Sequence, residues 1–325
     1  MKILITGSAG FIGSHLVNYF ISNTNYKVVG IDNFLTGNKN NVLRLKEIYG
    51  EKYEFIEGDA SDMNLMRYLL EGVDAVFHLA AQVSVVKSND DPLQTHNLNT
   101  TLFLNLLNLS KEKGIKRFIF PSSCSVYGDS KMEYLKESIQ VNPCSIYAST
   151  KYLNELYSSN LSKLDGYPKI IGLRLFNVYG SWQDSNSGYA AVIPIWISRI
   201  INKLPPIIYG DGKSTRDFIH VHDVCKAFNL ALASDIRSGS VYNIGSGMSI
   251  DLLTLLENIK TMIHKYPNYR EYSIEEIYKE KRIGEVKFSQ ADIKLARKEL
   301  NFSPNINIKD GLLEILNNQY KDFLN

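Results

Sequence analysis

A short apolar run at residues 2–6 (KILIT) leads directly into Gly7-Ser-Ala-Gly10-Phe-Ile-Gly13, and an amphipathic stretch over 14–22 comes next. Glycines at this spacing, between a strand and a helix, let the chain turn tightly. They also let backbone N–H groups approach a pyrophosphate at the helix start. A glycine-rich loop can equally carry no ligand, so the elements beyond it decide. Residues 27–31 (KVVGI) read as a second buried strand ending in Asp32. An acid about 20 residues beyond such glycines can accept both hydroxyls of a ribose and would repel a 2′-phosphate. The pattern predicts NAD rather than NADP.

The chain then repeats the theme. Residues 53–57 are a third strand closed by Gly58-Asp59, where Asp59 either caps the next helix or meets an adenine ring. Residues 73–78 are a fourth, running into Leu79-Ala80-Ala81, whose small side chains let backbone lie against a flat cofactor. His78, at a buried strand end, reads as a packed core histidine ahead of a base. Residues 95–113 have helical periodicity and contain Asn97, which reads either as a surface residue, as asparagines inside helices usually are, or as a tie from helix to strand. Residues 116–121 are a fifth strand, followed by Ser122-Ser123-Cys124-Ser125-Val126-Tyr127-Gly128. Hydroxyls there serve a ligand, since ligands bind at the carboxyl edge of such sheets, or they serve turn chemistry. Residues 169–175 are a sixth strand. Strands alternating with helices over this length predict an α/β fold, a doubly wound parallel sheet with a smaller C-terminal α/β domain.

The 325 residues suffice for two domains. Residues 1–177 are expected to form the first, with 219–234 rejoining it, and 178–325 the second. Hydrophobic residues make up 44% and charged residues 22%, as in soluble globular proteins. A net charge of +2 gives no support for nucleic acid as a partner. Cys124, Cys144 and Cys225 form no C-x-x-C, which argues against a disulfide framework or a metal site and suits a reducing cytosol. No run is long and apolar enough for a membrane helix or a signal peptide, so a cytoplasmic location is expected.

Tyr147 and Lys151 stand four apart in CSIYASTKYL (144–153), at what reads as a helix start, and so share one face. An ammonium beside a phenol favours the phenolate, bringing a pKa of ~10 toward neutrality. Taking a proton from a sugar alcohol while hydride leaves its carbon needs such a base. The spacing alone also describes an ordinary surface pair.

Taken together, the pieces resemble the extended short-chain dehydrogenase/reductase family, the NAD-dependent sugar-nucleotide epimerases and dehydratases. The matching stretches are GSAGFIG, Asp32, HLAA at 78–81, PSSCSVYG at 121–128, YASTK at 147–151 and LRLFNVYG at 173–180. YGDGKSTRDFIHVHDV at 209–224 and RIGEVKFSQADIKLA at 282–296 complete the series. The order is collinear over nearly the whole chain, and the pattern is closest to the UDP-N-acetylglucosamine and UDP-glucose 4-epimerases. The resemblance implies a Rossmann domain with Tyr147 as base. Lys151 would lower the pKa of Tyr147 and hold the nicotinamide ribose, and Ser123 would bond the reacting sugar oxygen, with Ser125 a second candidate. It implies an NAD site built from Gly7, Gly10, Phe11, Ile12, Gly13, Asp32, Asn33, Asp59, Ala60, Leu79, Ala80, Ala81, Asn97 and Ser122, with Tyr147 and Lys151. For a UDP-sugar it implies Ser84, Asn177 at the diphosphate, Val192 and Tyr209 beside the base, and Arg216 and Arg282 on phosphate oxygens. Glu285 stands where the family has Asp, and Ser181-Trp182-Gln183 replaces the frequent G-P-R-Q ending. Ser289 matches a position that gates the sugar pocket, and a small residue there leaves room for a 2-N-acetyl group.

Three readings compete on this pattern: a 4-epimerase, a 4,6-dehydratase or 4-keto-sugar reductase acting on a GDP- or dTDP-sugar, and a non-catalytic NAD sensor. Ser123-Cys124-Ser125 lacks the carboxylate that dehydratases carry, although Cys124 also resembles reductases of the fucose pathway. Tyr147 and Lys151 are both present, as a catalyst requires. Residues 268–281 are read as a solvated charged helix. A homodimer through helices at 95–113 and 146–163 is expected from the family.

Overall fold

The computed structural model describes residues 1–184, 191–281 and 286–321. Its strands are β1 (Lys2–Thr6), β2 (Lys27–Asp32), β3 (Tyr53–Glu57), β4 (Ala75–His78), β5 (Arg117–Ser123) and β6 (Lys169–Leu175). Next come β7 (Asn177–Tyr179), β8 (Ile207–Tyr209), β9 (Thr215–His220), β10 (Ser240–Ile244), β11 (Ser249–Asp251) and β12 (Ile277–Lys279). The helices are α1 (Phe11–Asn23), α2 (Lys39–Tyr49), α3 (Met63–Leu69), α4 (Val85–Asp90), α5 (Pro92–His96), α6 (Leu102–Glu112) and α7 (Ile146–Leu161). In the second half they are α8 (Val192–Ile201), α9 (Val221–Ala233), α10 (Leu252–Ile263), α11 (Lys294–Leu300) and α12 (Ile308–Gln319).

Seven strands form one parallel sheet in the order β10-β6-β5-β4-β1-β2-β3. Their near-continuous apolar runs reflect burial on both faces. In β1, Ile3 and Ile5 point to one core with Leu16, Phe20 and Phe228, while Leu4 points to the other with Val76, Phe103 and Leu107. The strand order reverses between β1 and β4, and the carboxyl ends of strands flanking such a switch open a ligand crevice. The second half carries two smaller sheets, β11-β9-β7 and β12-β8. Trp196 and Ile200 of α8, Leu255 and Ile259 of α10, and Leu312 and Ile315 of α12 give it a separate core. No described helix is long and apolar enough to cross a membrane.

The doubly wound sheet matches expectation, and several elements correct it. A seventh strand, β10, joins the edge beside β6, pairing Ile244 with Leu175. Within 219–234, α9 and Ile219 pack into the large sheet's core, while β9 pairs within the small sheet. Residues 268–281 are not a helix: a single turn at Pro267–Tyr269 precedes β12, which pairs with β8. A helix polar all round has no face to bury, and a short strand can instead dock on an existing edge. The periodic stretch at 95–113 is broken by a wide π turn, Asn97–Thr101. Asp62, not Asp59, caps α3, accepting the amides of Asn64 and Leu65.

Candidate active site

The glycine loop lies at the switch point. Gly7 has a φ of +70°, and a Cβ there would stand 2.7 Å from the Ala80 amide nitrogen. Gly10 precedes α1 with no side chain capping the helix start. Asp32, at the end of β2, accepts from the Ala9 amide at 2.9 Å and the Phe34 amide at 2.8 Å. Burial raises its pKa and these N–H groups pull it back. Asn33 Nδ2 donates to Asp59 at 2.9 Å. With Gly7, Ala60, Ala80 and Ala81 these residues line one cavity. Leu35, Thr36 and Leu98 line it too, and nothing in their sequence pattern marks them. Backbone packed where a side chain would intrude, beside a fixed carboxylate, fits a dinucleotide.

One expectation for this side is corrected. Asn97 is exposed, its Oδ1 meeting only Thr101 at 3.4 Å. The buried tie is Asn99: Oδ1 accepts from the Gln82 amide at 2.7 Å, and Nδ2 donates to Gln82 O at 2.9 Å and to Thr150 Oγ1 at 3.0 Å. The π turn shifts the helical phase and brings residue 99 inward. Ser122 is buried and gives its hydroxyl to Glu155, leaving backbone as what it can offer a cofactor. His78 is core: Nδ1 lies 2.8 Å from Thr6 Oγ1, the ring packs on Phe103 and Phe118, and burial lowers its pKa to about 3.

Helix α7 begins where Ser145 accepts from the Ala148 amide at 3.1 Å. Its next two amides are received by α4: Ile146 N–H by Asn89 Oδ1 at 3.4 Å and Tyr147 N–H by Ser88 Oγ at 3.1 Å. Ser84, assigned to substrate, caps α4 by accepting from the Lys87 amide at 3.1 Å. The half-buried Tyr147 phenol lies beside the Ser123 hydroxyl, near enough for that hydroxyl to favour the phenolate. Ser125 Oγ donates to that same hydroxyl at 2.9 Å. Lys151 Nζ donates to Pro121 O at 3.0 Å and lies 5.8 Å from the Tyr147 ring centre. Burial raises the phenol to about 12, outweighing the neighbouring Ser123 hydroxyl, and lowers Lys151 to about 8. The expectation that Lys151 depresses Tyr147 is therefore not met here. The ammonium is itself desolvated and directed at a carbonyl.

Ser289 is buried beside the Cys124 thiol, which burial pushes up to about 11. The residue expected at the gate thus sits beside the serine turn. A second cavity of about 500 Å³ gathers Asn177, Val192, Tyr209 and Arg216, together with Trp196, Arg199, Phe218 and Leu252. Asn177 Nδ2 donates to Asp217 O at 2.9 Å. Asn177 lies two residues beyond Leu175, the β6 partner of Ser123, so the serines and this cavity share the sheet's carboxyl edge. Aromatic Trp196 and Phe218 were missed because their chain positions carry no glycine or charge pattern. Arg282 and Glu285 lie outside the described residues.

Near the junction of α9 and α12, His220, His222 and Glu314 bring possible ligand atoms within 4.8 Å of one another. His220 Nδ1 accepts from the His222 amide at 3.4 Å, and its Nε2 lies 3.5 Å from Glu314 Oε2 without a hydrogen bond. His220 thereby caps the start of α9.

The profile of the NAD dependent epimerase/dehydratase family matches residues 3–245. The UDP-N-acetylglucosamine 4-epimerase of Methanobrevibacter ruminantium, solved with UDP-N-acetylmuramic acid, is 37% identical, with 97% of this chain and 98% of that one covered and a TM-score of 0.87. The UDP-glucose 4-epimerase of Thermotoga maritima, solved with UDP-glucose, is 33% identical over 100% of both chains, with a TM-score of 0.89. UDP-glucuronic acid decarboxylase 1 of Arabidopsis thaliana is 31% identical over 100% of this chain and 71% of its own length. A glycine cradle beside Asp32, a Tyr147–Ser123 pair next to Lys151 and these likenesses all agree: the chain belongs to the NAD dependent epimerase/dehydratase family, and its cofactor is NAD.

Proposed function

We propose that the protein interconverts the C4 epimers of a UDP-sugar, UDP-N-acetylglucosamine and its galacto epimer first, UDP-glucose and UDP-galactose second. The observation that carries this is the Tyr147 phenol set beside the Ser123 hydroxyl at the carboxyl edge of β5, with Lys151 one helical turn away and 5.8 Å from the Tyr147 ring centre. When bound, NAD supplies a reversible hydride acceptor. Tyr147 takes the C4 hydroxyl proton and later returns it, while Ser123 holds the C4 oxygen. Lys151, one turn along the same helix and held by the Pro121 carbonyl, would hold the nicotinamide ribose. The roughly 500 Å³ cavity is of the size that holds a nucleotide-like ligand. In it Arg216 pairs with phosphate oxygens, and Tyr209 and Trp196 border the base.

Ser123-Cys124-Ser125 offers no carboxylate, so elimination across C5 and C6 lacks its acid and base, which favours epimerisation over dehydration. The small, buried Ser289 favours an N-acetylated sugar. Residues 1–177, with α9 and β10, serve the cofactor, and the remainder serves the nucleotide sugar. Leu93 of α5 and Leu156 of α7 stand 71% and 40% exposed, which suits a homodimer through this face. Three free cysteines suit the reducing cytoplasm.

The test is to incubate the purified protein with UDP-N-acetylglucosamine, adding no cofactor, and track products by proton NMR. A gluco/galacto mixture is expected. A 4-keto-6-deoxy product, or no conversion of any UDP-sugar, would overturn the reading.

A further inference from the structure

Behind the serine turn lies a buried ion pair. Glu155, one turn beyond Lys151 on α7, is held by Arg174 of β6: Nε reaches Oε1 at 2.8 Å and Nη2 reaches Oε2 at 2.7 Å. The two side chains are 5% and 6% exposed. Ser122, which pairs with Arg174 in register, donates to the same carboxylate. The Arg174 guanidinium also lies 4.8 Å above the ring centre of Tyr127, the residue that ends the turn begun by Ser123 and Cys124. Tyr127 in turn donates to Asn243 of β10 at 2.6 Å.

One ion pair therefore touches three pieces at once: the helix that carries Tyr147 and Lys151, the strand end at Ser122, and the turn that carries Ser123. We infer that Glu155 and Arg174 are positioning residues, setting the height of α7 against the serine turn so that the Tyr147 phenol meets the Ser123 hydroxyl and Lys151 meets the Pro121 carbonyl. Stability alone does not account for such a pair. Desolvating two charges offsets most of their attraction, and well-packed apolar replacements of both are often neutral or stabilising. Geometry is what a bidentate fork confers. The inference rests on the proposed reaction for its kinetic readout.

The test compares the NAD-loaded wild type with Glu155→Gln and with the double variant Glu155→Leu/Arg174→Met, using UDP-N-acetylglucosamine. A misplacement of about 1 Å can cost about a hundredfold in rate, so the double variant is expected to keep its melting temperature, bound NAD and KM while kcat falls by about that factor. Its kcat–pH profile shifts with it. Glu155→Gln keeps shape but leaves the Arg174 charge uncompensated, so its melting temperature is expected to fall while kcat drops about tenfold at unchanged KM. Wild-type kcat and pH profile in a stably folded double variant would overturn the inference. If the wild type converts no UDP-sugar, the proposed function fails instead. The crystal structure of Glu155→Gln then decides: separation of Tyr147 from Ser123 supports the positioning role, and an unchanged contact removes it.

Discussion

The backbone amide of Tyr147 donates to the side-chain hydroxyl of Ser88 at 3.1 Å. The base is thus fixed from outside its own helix, by a residue buried on α4. Ser88→Ala leaves that amide without its acceptor, at a cost of about 1 kcal/mol. A melting temperature lowered by a few degrees and a several-fold drop in kcat are expected, read by calorimetry and by the NMR assay. Unchanged turnover would mean that α4 does not place the base.

Tyr147→Phe removes the proton acceptor while keeping the ring that packs in the cleft. General-base loss costs about 10²–10⁴ in rate. Turnover should fall at least that far, with NAD content and circular dichroism unchanged. Full activity in this variant would sink the mechanism.

Asn99→Ala should destabilise the fold by about 2 kcal/mol, because it strands a buried amide and carbonyl of Gln82. Asn97→Ala should be neutral, since that side chain is exposed. Urea melts of the two variants check the pair, and equal costs would mean the tie is not at Asn99.

Three buried histidines make the protein acid-sensitive. Burial lowers His15 from 6.5 to about 4 and His78 and His220 to about 3. Below 6.5 the unfolded chain binds protons that the folded state refuses, so this stability is fully present above pH 6.5 and is lost as pH falls toward 4. Each such histidine contributes a slope of up to about 1.4 kcal/mol per pH unit. Urea melts between about pH 7 and 4.5 should show that decline, and His15→Gln should flatten it by about a third. A slope untouched by that substitution would exclude His15 from the effect.

Ser289→Tyr should suppress conversion of N-acetylated UDP-sugars while sparing UDP-glucose, because the new ring enters the space beside Cys124. Competition assays with both substrates measure this, and equal loss of both would remove residue 289 from the gate.

What could be read in the sequence was local. The glycine loop, Asp32 and the Tyr147–Lys151 spacing each lie within one turn or strand end, where the residue types state the geometry. Asn99 was not legible because a π turn breaks the 3.6-residue phase at that very residue. Trp196, Arg199 and Leu252 come together only through tertiary folding. So does the charge balance at Tyr147: the spacing puts Lys151 on its face, but only the fold shows that Lys151 turns to Pro121 and that burial governs the phenol.

The late arrival of β10 bears on how this chain is made. Until residues 240–244 leave the ribosome, β6 is an open edge with no neighbour beyond it, and such an edge invites pairing with other chains. The whole segment from 177 to 239 is synthesised during that interval. A fragment ending at 177 would keep the cofactor crevice and the base, yet carry a permanent adhesive border, so a shortened dehydrogenase-like half should aggregate where the full chain does not.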